Sequence, residues 1–488
     1  MKKVLFLVYI ILILILVKSI ALSGYYYRFD NDELYHLQKV FLLAQGYKPY
    51  LQFYSVYAPF LHYFLLPIFL TFGFSVKTLY FAKIAMICLF LCRVILMTFF
   101  VKKIFGQNTA FWFLPIMLME PFTLVTGMQT RPENFALLLL SVFLIILYYA
   151  LKSQSAKKIF LSGIFLTLTF FGSLKLLPAV LMIILGLSIY CFLNNKKRLL
   201  LYFFDGLIAA FFLLFLFFYF SGNMLPAFQQ LLLDPLLLNM TIPISTPFNF
   251  FYMIESSLLF GKLGRPITWI WALVLPMAAF AASYKVFLES IINNVKSGKY
   301  FFYLGLSLAF FVTWISMLFI NSVWMQYYLP LTWFYCLFTA VLINDIQTNI
   351  KIKTAFRQIF TIIMIIFLIM VGKTTYEGNL VRSTGSNTIE LQNIETLWKI
   401  VPLKEKTFPN ILFRLPAYPI IYGGTLAPYM IERFGPVYRM LQKNNVNIIT
   451  AEENYIRSLD KDSQNYIFIN FKKDSPNPII WRRIIKSI

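Results

Sequence analysis

Apolar runs of bilayer length recur along most of this chain, and they leave few folds open. A helix of about 17–25 apolar residues crosses about 30 Å of hydrocarbon. In lipid every backbone N–H and C=O must find a partner inside the protein, so such runs fold as helices of a bundle. They fall at 4–23, 79–101, 110–128, 134–151, 159–174, 176–193, 199–220, 266–288, 300–320, 327–343 and 355–372. With 60% hydrophobic residues and a mean hydropathy of +0.73, a chain of 488 residues is far too apolar to be a soluble protein. Met1-Lys2-Lys3 followed by Val4–Val17 has the make-up of a signal peptide. No Ala-x-Ala-like site follows it, so it reads as an uncleaved first span.

Segment 57–76 is ambiguous, because its apolar run is short and Pro59 and Pro67 interrupt it. Charge resolves the ambiguity. If 57–76 lies on the outer surface without crossing, Lys2-Lys3, Lys102-Lys103, Lys157-Lys158 and Lys196-Lys197-Arg198 all fall inside. The inside loops then carry roughly twice the Lys and Arg of the outside loops that precede the tail. If 57–76 crossed, every later loop would flip and the bias would reverse. The net charge of +23 is thus mostly a topology signal, with some left to attract anionic head groups or phosphates. The cations sit in short loops between spans, which argues against nucleic-acid binding. Cys88, Cys92, Cys191 and Cys336 all lie in apolar segments and form neither a disulfide framework nor a zinc spacing.

Residues 373–488 differ in kind. They are polar, they alternate short apolar runs with helical patterns, and they suffice for a small domain. Asn445–Thr450 and Tyr466–Phe471 read as strands and Ile431–Lys443 as a helix. The prediction is a polytopic α-helical membrane protein of about eleven spans, with interfacial helices in the first outer loop. Residues 1–372 form the bundle, with its first outer loop at 24–78, and 373–488 form a small α/β extracytoplasmic domain.

Ionisable residues at the edge of a bilayer are costly and mark function. Asp30-Asn31-Asp32-Glu33-Leu34-Tyr35-His36 places three carboxylates and one of two histidines just past the first span. On a helix starting near Asp30, Asp32 and His36 share a face, and Asp30 caps. The cluster reads either as a cap at a membrane surface or as a site, since crowded carboxylates suit proton transfer. Asp30 and Asp32 also have a D-x-D spacing that leaves room for a divalent cation. Tyr57 follows in the same loop, as an interfacial residue or a sugar contact, and His62, as a satisfied polar residue or a site residue.

Further along, Arg131 and Glu133 mark a second outer junction, either a loop ion pair or a phosphate-binding guanidinium with its orienting carboxylate. Glu120 lies inside a span near the same side, where a carboxylate usually faces a cavity. Lys175 sits at another outer junction, placed to pair with phosphate or to snorkel. Lys262 and Arg265 close the loop 221–265, and Tyr328 opens the tenth span.

The order of these features resembles the GT-C glycosyltransferases of the protein O-mannosyltransferase and aminoarabinose-transferase type (glycosyltransferase family 39 and its bacterial relatives). The resemblance rests on Asp32-Glu33, Gly46, Pro49-Tyr50, Pro59-Phe60, Arg131-Pro132-Glu133, Lys175 and Tyr328-Leu329-Pro330. It covers most of residues 1–345, with Glu133 where the family has Asp. It implies a polyprenyl-phosphate sugar donor, Asp32 as general base, inversion at the anomeric carbon, and Arg131 and Lys175 holding the leaving phosphate. It implies no required cofactor, an acceptor that is a glycan, lipid or protein, and a bacterial inner (plasma) membrane location with the site extracytoplasmic.

A transporter or flippase of lipid-linked or anionic substrate is the main alternative. It should show broken helices in matching halves and a midplane site. A noncatalytic lipid-binding protein is a third reading, which the acidic cluster disfavours. The predicted topology places a reporter fused after residue 105 in the cytoplasm; a periplasmic signal there would reverse the assignment.

Overall fold

The computed structural model describes residues 2–241, 266–292, 298–319, 325–348, 353–409, 411–416, 427–476 and 478–484. Lys262 and Arg265 lie outside them. The described residues fall into two compact units. One draws on Met1–Tyr27, Lys83–Leu214 and Ile244–Gly385, the other on Arg28–Ala82, Phe215–Pro243 and Ser386–Ile488.

The first unit is a helical bundle. Its helices include α1 (Lys2–Tyr26), α4 (Val76–Ile104, which begins in the second unit), α5 (Gln107–Leu118), α6 (Pro121–Thr126), α7 (Pro132–Ser153), α8 (Ala156–Gly172), α9 (Leu177–Leu193) and α10 (Lys197–Phe220). After these come α13 (Pro266–Ile292), α14 (Gly298–Ser316), α15 (Leu329–Thr348) and α16 (Thr354–Arg382). Among the described residues nine helices are long and apolar enough to cross a membrane. Burial sorts them. The apolar stretch of α15 is 78% buried and forms the centre; that of α16 is 11% buried. Ile359, Ile362, Ile363 and Ile366 of α16 stay exposed, as do Phe211, Phe212 and Phe220 of α10. Such a surface is stable only against lipid. The protein is an integral membrane protein.

Two expected spans end differently from their apolar runs. The run 110–128 is not one helix: α5 stops and α6 starts at Pro121. Pro121 has no N–H to continue the ladder, and the Glu120 carboxylate caps the new helix by accepting from the backbone N–H of Phe122 and Thr123. Between α8 and α9 a single 3-10 turn, Leu174–Leu176, carries Lys175. Helices α8 and α10 meet through glycines. A Cβ on Gly163 would lie 2.2 Å from the Phe203 carbonyl oxygen, and one on Gly206 would lie 2.0 Å from that of Phe160. Close approach of this kind is how helices associate without a hydrophobic drive between them.

The second unit gathers α2 (Asn31–Ala44), α3 (Phe60–Phe72), α11 (Met224–Phe228), α12 (Asp234–Thr241) and a C-terminal α/β part. Helix α3 is 13 residues, about 20 Å, too short to cross a bilayer. It packs on α2 and buries Leu61, Leu65 and Phe69, a stripe of three residues spaced four apart. The C-terminal part begins with α17 (Thr388–Ile400) and holds a five-stranded sheet. Its strands are β1 (Lys406–Phe408), β2 (Leu415–Pro416), β3 (Ile448–Ile449), β4 (Phe471–Pro476) and β5 (Ile479–Arg483), in the order β2-β1-β3-β5-β4. The β1 pairings are parallel; β3–β5 and β4–β5 are antiparallel.

Three expectations for this part need correction. Tyr466–Phe471 is not a strand: residues Lys461–Asn470 form a helix, and the strand starts at Phe471. Its short apolar run fits either period, and the Asp460 side chain decides by accepting from Ser463 N–H at 2.9 Å. Asn445–Thr450 contributes only Ile448–Ile449 to the sheet. Ile431–Lys443 is two helices, Ala427–Phe434 and Val437–Lys443, parted by Gly435 at φ 85° and Pro436.

Glutamine amides tie the unit together. The Gln38 side chain of α2 donates to the Arg414 carbonyl at 2.6 Å and accepts from Phe413 N–H at 2.7 Å. Gln230 does the same for the first connection, donating to the Tyr50 carbonyl at 2.8 Å and accepting from Ser55 N–H at 2.9 Å. Arg433 and the fully buried Asp234 form an ion pair.

Gly206→Val should force α8 and α10 apart. We expect a loss of roughly 1–3 kcal/mol, read as a lower thermal midpoint of the detergent-purified protein, with Leu201→Val on the exposed face of α10 unchanged.

Candidate functional site

Two groups of functional side chains emerge, one in each unit. The first is built on α2. Asp30 is its N-cap, with φ −78° and ψ 151°. The Asp30 carboxylate accepts from Asp32 N–H at 3.3 Å, while that of Glu33 accepts from Asp30 N–H at 3.1 Å. This is a reciprocal capping box. It gives Asp30 and the buried Glu33 a structural task and leaves Asp32 partly exposed on the first turn. The entry to α2 is fixed from α17: the Glu390 carboxylate accepts from Phe29 N–H at 2.9 Å, and Ser386 Oγ accepts from Arg28 N–H at 3.0 Å.

The chain's two histidines meet here. His36 Nδ1 lies 3.1 Å from His62 Nε2, and both rings are buried. One proton between the two nitrogens makes this a hydrogen bond; two would put N–H against N–H. Tyr57 stands edge-on to His36, with ring centroids 5.4 Å apart. Sequence reasoning missed Lys39. It is fully buried, donates to Ser55 Oγ at 3.1 Å and lies 3.7 Å from the Tyr35 ring centroid. Burial pushes the Lys39 ammonium well below the ordinary lysine range, opposed by the nearby charge of Asp32. Burial also pushes His62 well below 6.5, and the Lys39 charge adds to the effect. The signal was in the sequence: Asp32, His36 and Lys39 follow the i, i+4, i+7 stripe of one helix face.

The second group sits where α7 begins, in the other unit. Arg131 is the N-cap residue of α7, and Pro132 takes the first helical position. The buried Arg131 donates through Nε to Gln129 Oε1 at 2.6 Å. Glu133, in the first turn of α7, forms an ion pair with Lys175. The Lys175 ammonium also sits 4.0 Å from the Tyr327 ring centroid. Tyr328 is buried and stacks on Phe122 of α6, ring centroids 5.0 Å apart. Glu120 is fully buried and engaged as the cap of α6.

The structure therefore brings Asp30, Asp32, Glu33, His36, Tyr57 and His62 into one unit, and Glu120, Arg131, Glu133, Lys175 and Tyr328 into the other. Glu133 engages Lys175, where sequence reasoning had also weighed an orienting contact to Arg131. Arg93, a lone guanidinium within an apolar run, was also overlooked. It is buried in α4 and donates through Nη1 to Asn134 Oδ1 at 3.0 Å. For the cation suggested at Asp30 and Asp32, the residues fit poorly. Asp30 Oδ1 is spent on the helix cap, and among the described residues no three His, Cys, Asp or Glu side chains group as metal ligands. Oxygen-ligated cations take six or more ligands.

The described residues thus combine a helical membrane bundle, an amphipathic first connection and a small C-terminal sheet. The chain is similar over nearly its whole length to the crystal structure of ArnT from Cupriavidus metallidurans bound to undecaprenyl phosphate. The TM-score is 0.60 at 10% identity, covering 98% of each chain. The apo structure of the same protein gives a TM-score of 0.51 at 10% identity and 97% coverage of each. No protein-family model and no curated protein matches the sequence. At this identity the likeness is one of fold.

A depressed histidine pKa gives stability its pH sign. Below 6.5 the unfolded chain binds a proton that folded His62 resists, so stability is complete above that pH and falls as pH drops. Lys39, depressed for the same reason, acts in the same direction from higher pH. We expect the thermal midpoint to fall between about pH 7 and about pH 5, and His62→Gln to flatten that slope. An unchanged slope in the variant would assign the loss to other groups.

Proposed function

We propose that the protein is a membrane glycosyltransferase that moves a sugar from a polyprenyl-phosphate donor to an acceptor hydroxyl at the extracytoplasmic face. The observation that carries this reading is the full-length likeness to ArnT, a protein whose structure holds undecaprenyl phosphate. Fold alone does not carry activity; the residues on α2 and at the start of α7 add the chemistry.

On this reading Asp32 is the base. The capping box engages Asp30 and Glu33 and leaves Asp32 on the first turn, clear of helix termination. As the acceptor oxygen attacks the anomeric carbon, Asp32 takes its proton. The bond from that carbon to the phosphate oxygen breaks, polyprenyl phosphate leaves with the electron pair, and the anomeric centre inverts. Arg131 offers a planar fork to the leaving phosphate, and Lys175 a point charge. Glu133 holds Lys175 in place. No cofactor is required. His36, His62 and Tyr57 belong with the base and Glu120 and Tyr328 with the phosphate-holding residues, and Lys262 and Arg265 are cavity-wall, substrate-binding candidates from sequence. The acceptor is a glycan, lipid or protein.

The break between α5 and α6 is the one feature that favours a transporter. Detergent-purified protein separates the two readings, since transport needs two compartments and transfer does not. Given labelled polyprenyl-phosphate sugars and membrane-derived acceptors, the wild type should transfer label. Asp32→Asn should lose about 10²–10⁴-fold in rate while still binding undecaprenyl phosphate. Arg131→Gln should weaken that binding. Wild-type turnover by Asp32→Asn would remove Asp32 as base.

A further inference from the structure

Arg93 is a cation in the middle of an apolar helix, and ionisable groups at such depth are retained for function. It is 2% exposed and faces protein groups. Arg93 Nη1 donates to Asn134 Oδ1 at 3.0 Å; among the described residues Nε and Nη2 have no hydrogen-bond partner. A methionine would fill this place without burying a charge. What the guanidinium supplies is direction.

That direction leads to Arg131. Asn134, also fully buried, donates through Nδ2 to the Thr126 carbonyl at 2.8 Å and to the Gln129 carbonyl at 2.9 Å. It thereby closes the turn that links α6 to α7. The Gln129 side chain in turn accepts from Arg131 Nε at 2.6 Å. Arg93 grips the same turn at a second point. A Cβ on Gly127, the C-cap of α6, would lie 3.0 Å from Arg93 Nη2, so the cation sits at the negative end of that helix. The Glu120 carboxylate at the other end of α6 offsets the charge.

We propose that Arg93 is a positioning residue for donor recognition: through Asn134 it sets the turn 126–131 and so aims the Arg131 guanidinium at the donor phosphate. This rests on the reading of Arg131 as a phosphate ligand. Arg93 makes no bond to substrate; loosening it should blur Arg131's angle and leave the chemical step to other residues.

The test measures undecaprenyl phosphate binding and transfer kinetics on purified full-length variants. Arg131→Gln alone should weaken binding; wild-type binding there would refute the phosphate role of Arg131 itself. Given that loss, Arg93→Met should raise the donor KM about 10–100-fold, with a smaller change in kcat and a thermal midpoint no lower than wild type. In the Arg131→Gln background the same change should add nothing, because both act through one guanidinium. Arg93→Lys, which keeps the charge and loses the fork, should give an intermediate KM. Should Arg93→Met fail to fold, Asn134→Asp gives the same readout: it keeps the acceptor for Arg93 and removes both donors to the turn. Equal losses with and without Arg131, or an unchanged donor KM in Arg93→Met, would overturn the proposal.

Discussion

Backbone groups in lipid have no water to turn to, and the rest of this structure depends on that constraint. It makes the apolar runs helical, and it makes every interruption of a helix a place where side chains must stand in. At the α5–α6 break Glu120 supplies the missing acceptors. At the α6–α7 turn Asn134 satisfies two carbonyls and Arg93 holds Asn134. Polar residues thus collect where helices stop, and the charges proposed to hold phosphate stand at the same stops. Structural need and chemical opportunity coincide because both require departure from a regular helix.

The second unit solves a different problem with similar means. Its first connection has little regular structure beyond α2 and α3, yet it must hold Asp32 steadily. Two glutamine amides do this, since each can donate and accept at once and so matches one backbone carbonyl and one backbone N–H. The histidine pair and Lys39 add buried polar contacts, His36 to His62 and Lys39 to Ser55. Such networks specify one geometry when every member is satisfied.

Much of this was legible in the sequence, unevenly. Run length marked the spans, because the bilayer imposes one dominant scale. The shortness of 57–76 marked α3, and Asp30 marked the start of α2. The break at Glu120 was masked by continuous apolarity, although Pro121 signalled it. Lys39 was passed over because in the sequence it is one surface-like lysine among many; only the fold, which sets Tyr35, Ser55 and Tyr57 around its ammonium, buries it. Arg93 was passed over because its partner Asn134 is far along the chain, and nothing local couples them. The misread strand at Tyr466–Phe471 shows the limit of short apolar runs, where one capping aspartate outweighs periodicity. Residue identity announces elements; long-range partners, which decide the sites, require the fold.

The unit that carries Asp32 is assembled from three separate stretches of chain, the last beginning at Ser386. A ribosome adding about 5–20 residues per second reaches Phe413 on the order of tens of seconds after it has released Gln38. Throughout that interval α2 stands without its C-terminal anchor, and the Gln38 amide lacks the Phe413 and Arg414 backbone partners it has in the fold. The α2 segment is made early but meets its C-terminal partners only at the end of synthesis. A nascent chain halted before Ser386 carries every residue of the proposed base cluster with nothing yet to hold it still.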